Sequence, residues 1–169
     1  MSVRSGKGDG GFTDLPFHKI IEKDSSEIRA LGDLDELMSF LGLLKSKLRS
    51  GINKDLIEGL QKDIFVIASE IAGSIDKKKK SGILLGKTRV DRIKKTVSDL
   101  EKKIKIKGGF YLPGTGELSA FFDVNRAVAR RAERSVVSLL QNDKFFNRNI
   151  LTYMNCISDV LFLLARKYP

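Results

Sequence analysis

FFDVNRAVARRAER, residues 121–134, decides how the rest of the chain is read. The stretch predicts one amphipathic helix, with apolar Val124, Val128, Ala129 and Ala132 set between Arg126, Arg130, Arg131 and Arg134. Residues three and four apart share a helix face, so Arg126, Arg130 and Glu133 form one stripe. Arginine is costly along a packing helix unless it meets an anion or a carboxylate. Two arginines one turn apart, with an acid beside them, suit a triphosphate or carboxylate clamp. A solvated basic face explains this one helix equally well.

Upstream, the same period recurs. Ser25 or Ser26 caps a first helix reaching about residue 49, with Glu27 in its first turn and Gly51 beyond its end. Its predicted apolar stripe includes Ile28, Leu31, Leu34, Met38, Leu41 and Leu48, and it carries the dense acids Asp33, Asp35 and Glu36 in GDLDEL, residues 32–37. A second helix, about residues 54–74, places Ile57, Leu60, Ile64, Ile67 and Ile71 at spacings of three and four. A third, about residues 87–106, does so with Val90, Ile93, Val97, Leu100 and Ile104. Such seams predict nearly antiparallel bundle packing. The lysine-rich link at residues 76–82 reads as a solvated loop. Gly108 and Gly109 stop the third helix, and FYLPG, residues 110–114, follows. That patch reads either as a cap of aromatics over the core or as a ring offered to a flat ligand. The arginine helix then spans about residues 115–140. A last helix, about residues 144–166, turns Ile150, Met154, Ile157, Leu161, Phe162 and Ala165 inward and carries Asn155 and Asp159 one turn apart. The expected architecture is all-α: a five-helix up-and-down bundle in a single domain, preceded by a glycine-rich N-terminal loop.

Composition sets the chemical background. Of 169 residues, 41% are hydrophobic and 31% charged, ordinary for a soluble globular chain. The net charge of +10 points to anionic partners: nucleic acid, acidic lipid or nucleotide phosphate. A single cysteine, Cys156, excludes an internal disulfide framework and reads as a buried thiol. With no apolar run near ~20 residues and no signal-peptide core, a cytoplasmic protein is expected. Residues 1–24 hold glycines 6, 8, 10 and 11 and Pro16, which forbid a stable helix. They read either as a tag-like start or as a loop whose N–H groups cradle an anion, though not with Walker spacing.

Together, the glycine-rich start, GDLDEL, the FYLPG turn, RAVARRAER and YMNCISDVLF (residues 153–162) resemble one family across almost the whole chain. It is the trimeric ATP:cob(I)alamin adenosyltransferases of the propanediol-utilisation and mitochondrial type. The resemblance implies a trimeric helical bundle with active sites between subunits. Its reaction moves the 5′-deoxyadenosyl group of ATP to cobalt(I) of a corrinoid such as cobalamin and releases triphosphate, with Mg²⁺ accompanying ATP. The implied organisation is a nucleotide-binding loop and lead-in at residues 1–24 and an adenosyltransferase bundle at residues 25–169.

By the same resemblance, Gly8, Asp9 and Gly11 match a threonine-glycine-aspartate-x-glycine loop folded over ATP. Lys7 stands at the threonine position, replacing a hydroxyl contact with a lysine able to reach phosphate. Lys23 matches a basic residue before the first helix, and Arg130, Glu133 and Asn155 match ATP-contacting positions. Arg126 matches an arginine that pairs with the acid at Asp35 across the subunit interface, and Phe110 matches the aromatic at the lower face of the corrin ring. The implied catalytic set is Arg130, Phe110, Arg126 and Asp35, with no protein metal site.

Cobalt(I) is so strong a nucleophile that no general base is required. The protein's task is to align C5′ with cobalt and to stabilise charge on the departing triphosphate. His18 therefore reads as a structural or loop residue. An apolar ring in the lower axial position would expel water from cobalt(II) and ease its reduction, by the ligation logic that applies to haem. A flavoprotein reductase is a further expected partner; nucleic acid and membrane are not. The competing readings are a basic nucleic-acid-binding bundle and a purely structural bundle. The first has no use for matched acids at Asp35 and Glu133, and the second none for the glycine-rich lead-in.

Overall fold

A computed structural model describes residues 6, 8–15, 19–74, 84–106, 108–141 and 147–168. Five helices carry the chain: α1 (Ser26–Lys47), α2 (Ile52–Ser74), α3 (Lys87–Lys103), α4 (Glu117–Gln141) and α5 (Arg148–Lys167). The predicted helical bundle is the fold found. Sequence neighbours are not always neighbours in space: α4 packs against both α1 and α5, α3 packs on α5, and α2 packs on α1.

Each helix forms for a local reason. The Ser25 hydroxyl accepts from the Ile28 N–H at 3.3 Å and caps α1, and the Asn147 side chain caps α5 by accepting from the Asn149 N–H. Beneath these caps the apolar stripes meet. On α1 the fully buried stripe is Ala30, Leu34, Leu37, Leu41 and Leu44, extended by Leu48. Leu31 and Met38, expected in the stripe, are only partly buried and flank it. The shift follows from the two neighbours: α1 is wedged between α2 and α4, so its centre line bisects them. Ile57, Ile64 and Ile67 of α2, Phe122, Ala129 and Ala132 of α4, and Met154, Ile157 and Leu161 of α5 close the same core. Each buried leucine, isoleucine, methionine or phenylalanine contributes roughly 1.5–3 kcal/mol of burial, and the alanines less.

Two buried acids fasten helices that backbone packing alone leaves apart. Asp63 of α2 accepts from the Tyr153 hydroxyl of α5 at 2.6 Å, from Arg92 of α3 at 2.7 Å, and from Arg89 of α3. Burial and the Asp63 charge push the Tyr153 phenol far above its ordinary value, so it remains a donor. Glu70 accepts from the Leu85 N–H and from Asn147 Nδ2, both at 2.6 Å, tying the segments that precede α3 and α5. Cys156 is buried, as expected, and burial raises its thiol pKa.

The lead-in holds an element the sequence did not announce. Strands β1 (Phe12–Leu15) and β2 (Lys19–Glu22) form an antiparallel hairpin with Phe12 opposite Glu22 and Leu15 opposite Lys19. At four residues each they are too short to leave a period in the sequence. The hairpin makes no extensive contact with any helix of its own chain. Helix α4 begins at Glu117, after the expected start at 115, and α3 ends at Lys103, before the expected 106. Lys7, His18, residues 75–83 with most of the expected lysine-rich loop, and residues 142–146 with the expected start of the last helix lie outside the described residues.

Candidate active site

The glycine-rich segment is built against Lys23. Its Nζ donates to the Gly8 carbonyl at 2.6 Å, and its backbone N–H donates to the Gly11 carbonyl at 2.9 Å. A Cβ on Gly8 would stand 3.0 Å from that same Nζ, so a larger residue there would push the lysine tip aside. Gly8, Asp9, Gly11 and Lys23, expected to act together, therefore form one unit at the base of the hairpin. Asp9 is exposed and its N–H donates to the Gly6 carbonyl.

The arginines of α4 divide by the face they occupy. Arg131 points to α1, pairing with Glu36 and standing 3.6 Å from Asp33, which also accepts from Ser135. The dense acids of GDLDEL are thus partly explained as a tie between helices. Arg126 stands 3.7 Å from the buried Asp123, and its Nε is buried with no hydrogen-bond partner. Arg130 and Arg134 are exposed, and neither forms an ion pair among the described residues. Asp35 is exposed and forms no ion pair among the described residues, Arg126 included.

Arg130 and Glu133 lie on the flank of α4 nearest α5, where Asn155 and Asp159 are exposed one turn apart. Arg130, Glu133 and Asp159 share one electrostatic neighbourhood. Desolvation raises the Glu133 carboxyl above its ordinary value, opposed by Arg130 and reinforced by Asp159. Desolvation also raises Asp159, reinforced by Glu101 of α3 and opposed by Arg130. Both carboxyls resist ionising fully, and the one cation pulling on both is Arg130. A guanidinium with no ion pair among the described residues, acting on two carboxyls whose pKa values burial raises, marks this flank as the candidate site. Asp159 was legible only as a polar neighbour of Asn155; its coupling to Arg130 emerges from the fold.

At the far end of the same α4–α5 flank, the FYLPG patch divides in two. Phe110 is 89% exposed, so its ring does not cap the core. Tyr111 does pack, meeting Phe162 of α5 edge-on with centroids 6.1 Å apart. Arg166, which pairs with Asp123, stacks its guanidinium 5.1 Å from the Tyr111 ring centroid. Tyr111 thus takes the packing reading open to the FYLPG aromatics, whereas Asp123 and Arg166 have no distinct place in the sequence patterns. Their signal is faint: Asp123 sits one turn before Arg126, and Arg166 one turn after Phe162.

With this arrangement in view, the comparisons decide the lineage. The cobalamin adenosyltransferase family profile matches residues 3–168. The chain belongs to that family. A cobalamin adenosyltransferase from Cupriavidus metallidurans is 33% identical over 161 residues, covering 94% of this chain and 83% of that protein. The corrinoid adenosyltransferase of Bacillus subtilis is 28% identical, covering 98% of this chain and 86% of the relative. The corrinoid adenosyltransferase PduO of Salmonella typhimurium is 26% identical over 98% of this chain, which spans only 49% of that relative's length. Among solved structures, a PduO-type ATP:corrinoid adenosyltransferase variant from Lactobacillus reuteri, complexed with cobalamin and ATP, superposes with a TM-score of 0.88. It is 25% identical, with 98% of this chain and 89% of that chain covered. An arginine-to-lysine variant of such an enzyme, complexed with ATP, gives a TM-score of 0.85 at 26% identity, covering 98% of this chain and 93% of that one. The cobalamin adenosyltransferase family thus accounts for the bundle, the glycine-rich lead-in and the arginine helix together.

Proposed function

We propose that this chain is an ATP:corrinoid adenosyltransferase that transfers the 5′-deoxyadenosyl group of ATP to cobalt(I) of cobalamin and releases triphosphate. The observation that carries the reading is Arg130, exposed, without an ion pair among the described residues, and acting electrostatically on both Glu133 and Asp159. Family membership and relatives named for this activity support it.

The chemistry asks little covalent work of the protein. The cobalt(I) electron pair forms the Co–C5′ bond while the C5′–O bond breaks, and both electrons of that bond leave with triphosphate. Arg130 stabilises the charge that accumulates there, and its neighbours Glu133 and Asn155 orient the nucleotide. Gly8, Asp9, Gly11, Lys23 and Lys7 fold over the phosphates from residues 1–24, and residues 25–169 form the transferase bundle. Mg²⁺ arrives on ATP in this reading, held mainly by phosphate oxygens and water. Phe110 fills the lower axial position of the corrinoid.

The working unit in this reading is a homotrimer with sites between subunits. Three features favour it: among the described residues Asp35 is exposed without an ion pair, the buried Arg126 Nε has no hydrogen bond, and the hairpin makes no extensive contact with the helices while exposing Phe12 and Ile20. A cytoplasmic setting with a flavoprotein reductase delivering the electron completes the proposal; no helix among the described residues is long and apolar enough to cross a membrane. The test is a steady-state assay with ATP and chemically reduced cobalamin, following loss of the cobalt(I) absorbance. Disappearance dependent on ATP supports the reading. No turnover, with tight and salt-sensitive DNA binding, sinks it in favour of a nucleic-acid-binding bundle.

A further inference from the structure

We propose that Arg166, gripped by Asp123, is a positioning residue that fixes Tyr111 and through it holds the adjacent Phe110 ring in place. The inference rests on the adenosyltransferase reading for its consequence, but its core is a contact network within the chain.

Between Gly108 and Thr115 every described side chain is exposed except Tyr111. The segment joining α3 to α4 has no regular structure there, and Gly109 adopts a φ of +126° that few other residues tolerate. Left to itself, such a segment samples many conformations, and ordering Phe110 would cost conformational entropy each time a ligand arrived. Tyr111 is its anchor. The Tyr111 ring packs edge-on against Phe162, and one guanidinium stacks on both rings, 5.1 Å from Tyr111 and 5.2 Å from Phe162.

That guanidinium is deeply buried: the Arg166 side chain is 7% exposed, and its partner Asp123 is 5% exposed. Burying an ion pair is weak evidence for stability, since well-packed apolar residues often serve as well. What the pair adds is direction. A planar cation pinned by a carboxylate offers a fixed face to aromatic rings, which an aliphatic side chain cannot do. The pair belongs to α4 and α5, the helices that carry Arg130 and Asn155, so the same device sets the aromatic segment relative to the nucleotide-binding flank.

The experiment compares wild type with Arg166→Met, Arg166→Lys and Tyr111→Leu, using two readouts. The first is the ¹⁵N order parameter of residues 110–112 without ligand. Met at 166 and Leu at 111 are expected to lower it from the rigid range, about 0.85, to below about 0.6, with Lys between. Wild-type order in both Arg166→Met and Tyr111→Leu would overturn the proposal. The second is the ratio of adenosylation rates from cobalt(II) with a reductant and from pre-reduced cobalt(I). The two variants are expected to lose about tenfold or more in the first route and much less in the second. Equal losses in both routes would overturn the link to Phe110, leaving Arg166 a packing residue. Tyr111→Leu leaves the buried pair intact and supplies both readouts even if Arg166→Met does not fold. Absence of turnover in the wild type would overturn the proposed function, while the order parameters still decide the positioning claim.

Discussion

Arg130 and Phe110 are the two residues whose surroundings separate chemistry from packing most cleanly. Because Arg130 is exposed and makes no ion pair among the described residues, Arg130→Ala should leave folding intact. It should cost about 2–4 kcal/mol of transition-state stabilisation, roughly 30- to 1,000-fold in kcat, as for loss of one preorganised donor. Asn155→Ala should act mainly on KM for ATP. Normal turnover of Arg130→Ala at saturating ATP would refute the clamp. Phe110 behaves differently. Deleting a core phenylalanine costs about 3–5 kcal/mol, but this ring is exposed, so Phe110→Ala should barely move the melting curve. It should impair the route from cobalt(II) far more than the route from pre-reduced cobalt(I). Equal impairment of both routes would remove its axial role. Glu133 gives a pH signature. Its pKa lies above the ordinary 4.5 in the folded chain, so the folded state holds the proton more tightly. Stability therefore falls as pH rises from the ordinary carboxylate value through the raised one. Glu133→Gln should melt slightly higher than wild type at neutral pH, and the difference should vanish in acid, where Glu133 is protonated anyway. A melting difference that grows on acidification would contradict this sign.

Among the elements, the helices were legible and the hairpin was not. Helices α2 and α3 carry isoleucine, leucine and valine at alternating spacings of three and four, and that period survives any choice of neighbours. The stripe on α1 was read slightly off because the sequence does not say that α1 is wedged between two partners. Strands of four residues leave no comparable period, and FTDL and KIIE look like loop. Asp63 was invisible for another reason: its partners Arg89, Arg92 and Tyr153 lie on other helices, and only the fold collects them. Asp63→Ala should destabilise the bundle by about 2–3 kcal/mol, since it strands a buried phenol donor while both arginines retain access to water. A denaturant midpoint unchanged from wild type would show that the three partners rearrange freely. The glycine-rich unit should respond to nucleotide. Amide exchange over residues 8–13 should slow when ATP and Mg²⁺ are added, because phosphate supplies the free energy that orders a glycine-dense loop. Unchanged exchange at saturating ATP would favour a tag-like lead-in.

At the scale of the whole molecule, one chain supplies the parts of a site without closing it. The loop built on Gly8 and Lys23 rises from a hairpin with little purchase on the described helices, while Arg130 and Glu133 lie on the flank of α4 toward α5, which carries Asn155. The sequence resemblance implies sites shared between subunits, which residue spacing alone does not show, because spacing carries no information about which copy a contact belongs to. The arrangement makes sense if one copy's loop closes over its neighbour's α4–α5 flank. Asp35 and Arg126 then serve as the fastening: an exposed acid on α1 in one copy and a guanidinium with an unsatisfied Nε in the next. A desolvated pair of this kind is weak evidence of net affinity, yet removing one partner leaves the other buried and costly. Arg126→Ala should therefore remain a folded bundle but lose most activity and dissociate at concentrations where wild type sediments as a trimer. Asp35→Ala should do the same. The double variant should fall little further than either single one, the non-additivity expected of residues in direct contact. A fully active monomer by sedimentation would end the shared-site reading, and strictly additive losses would show that Asp35 and Arg126 act on the assembly through different contacts.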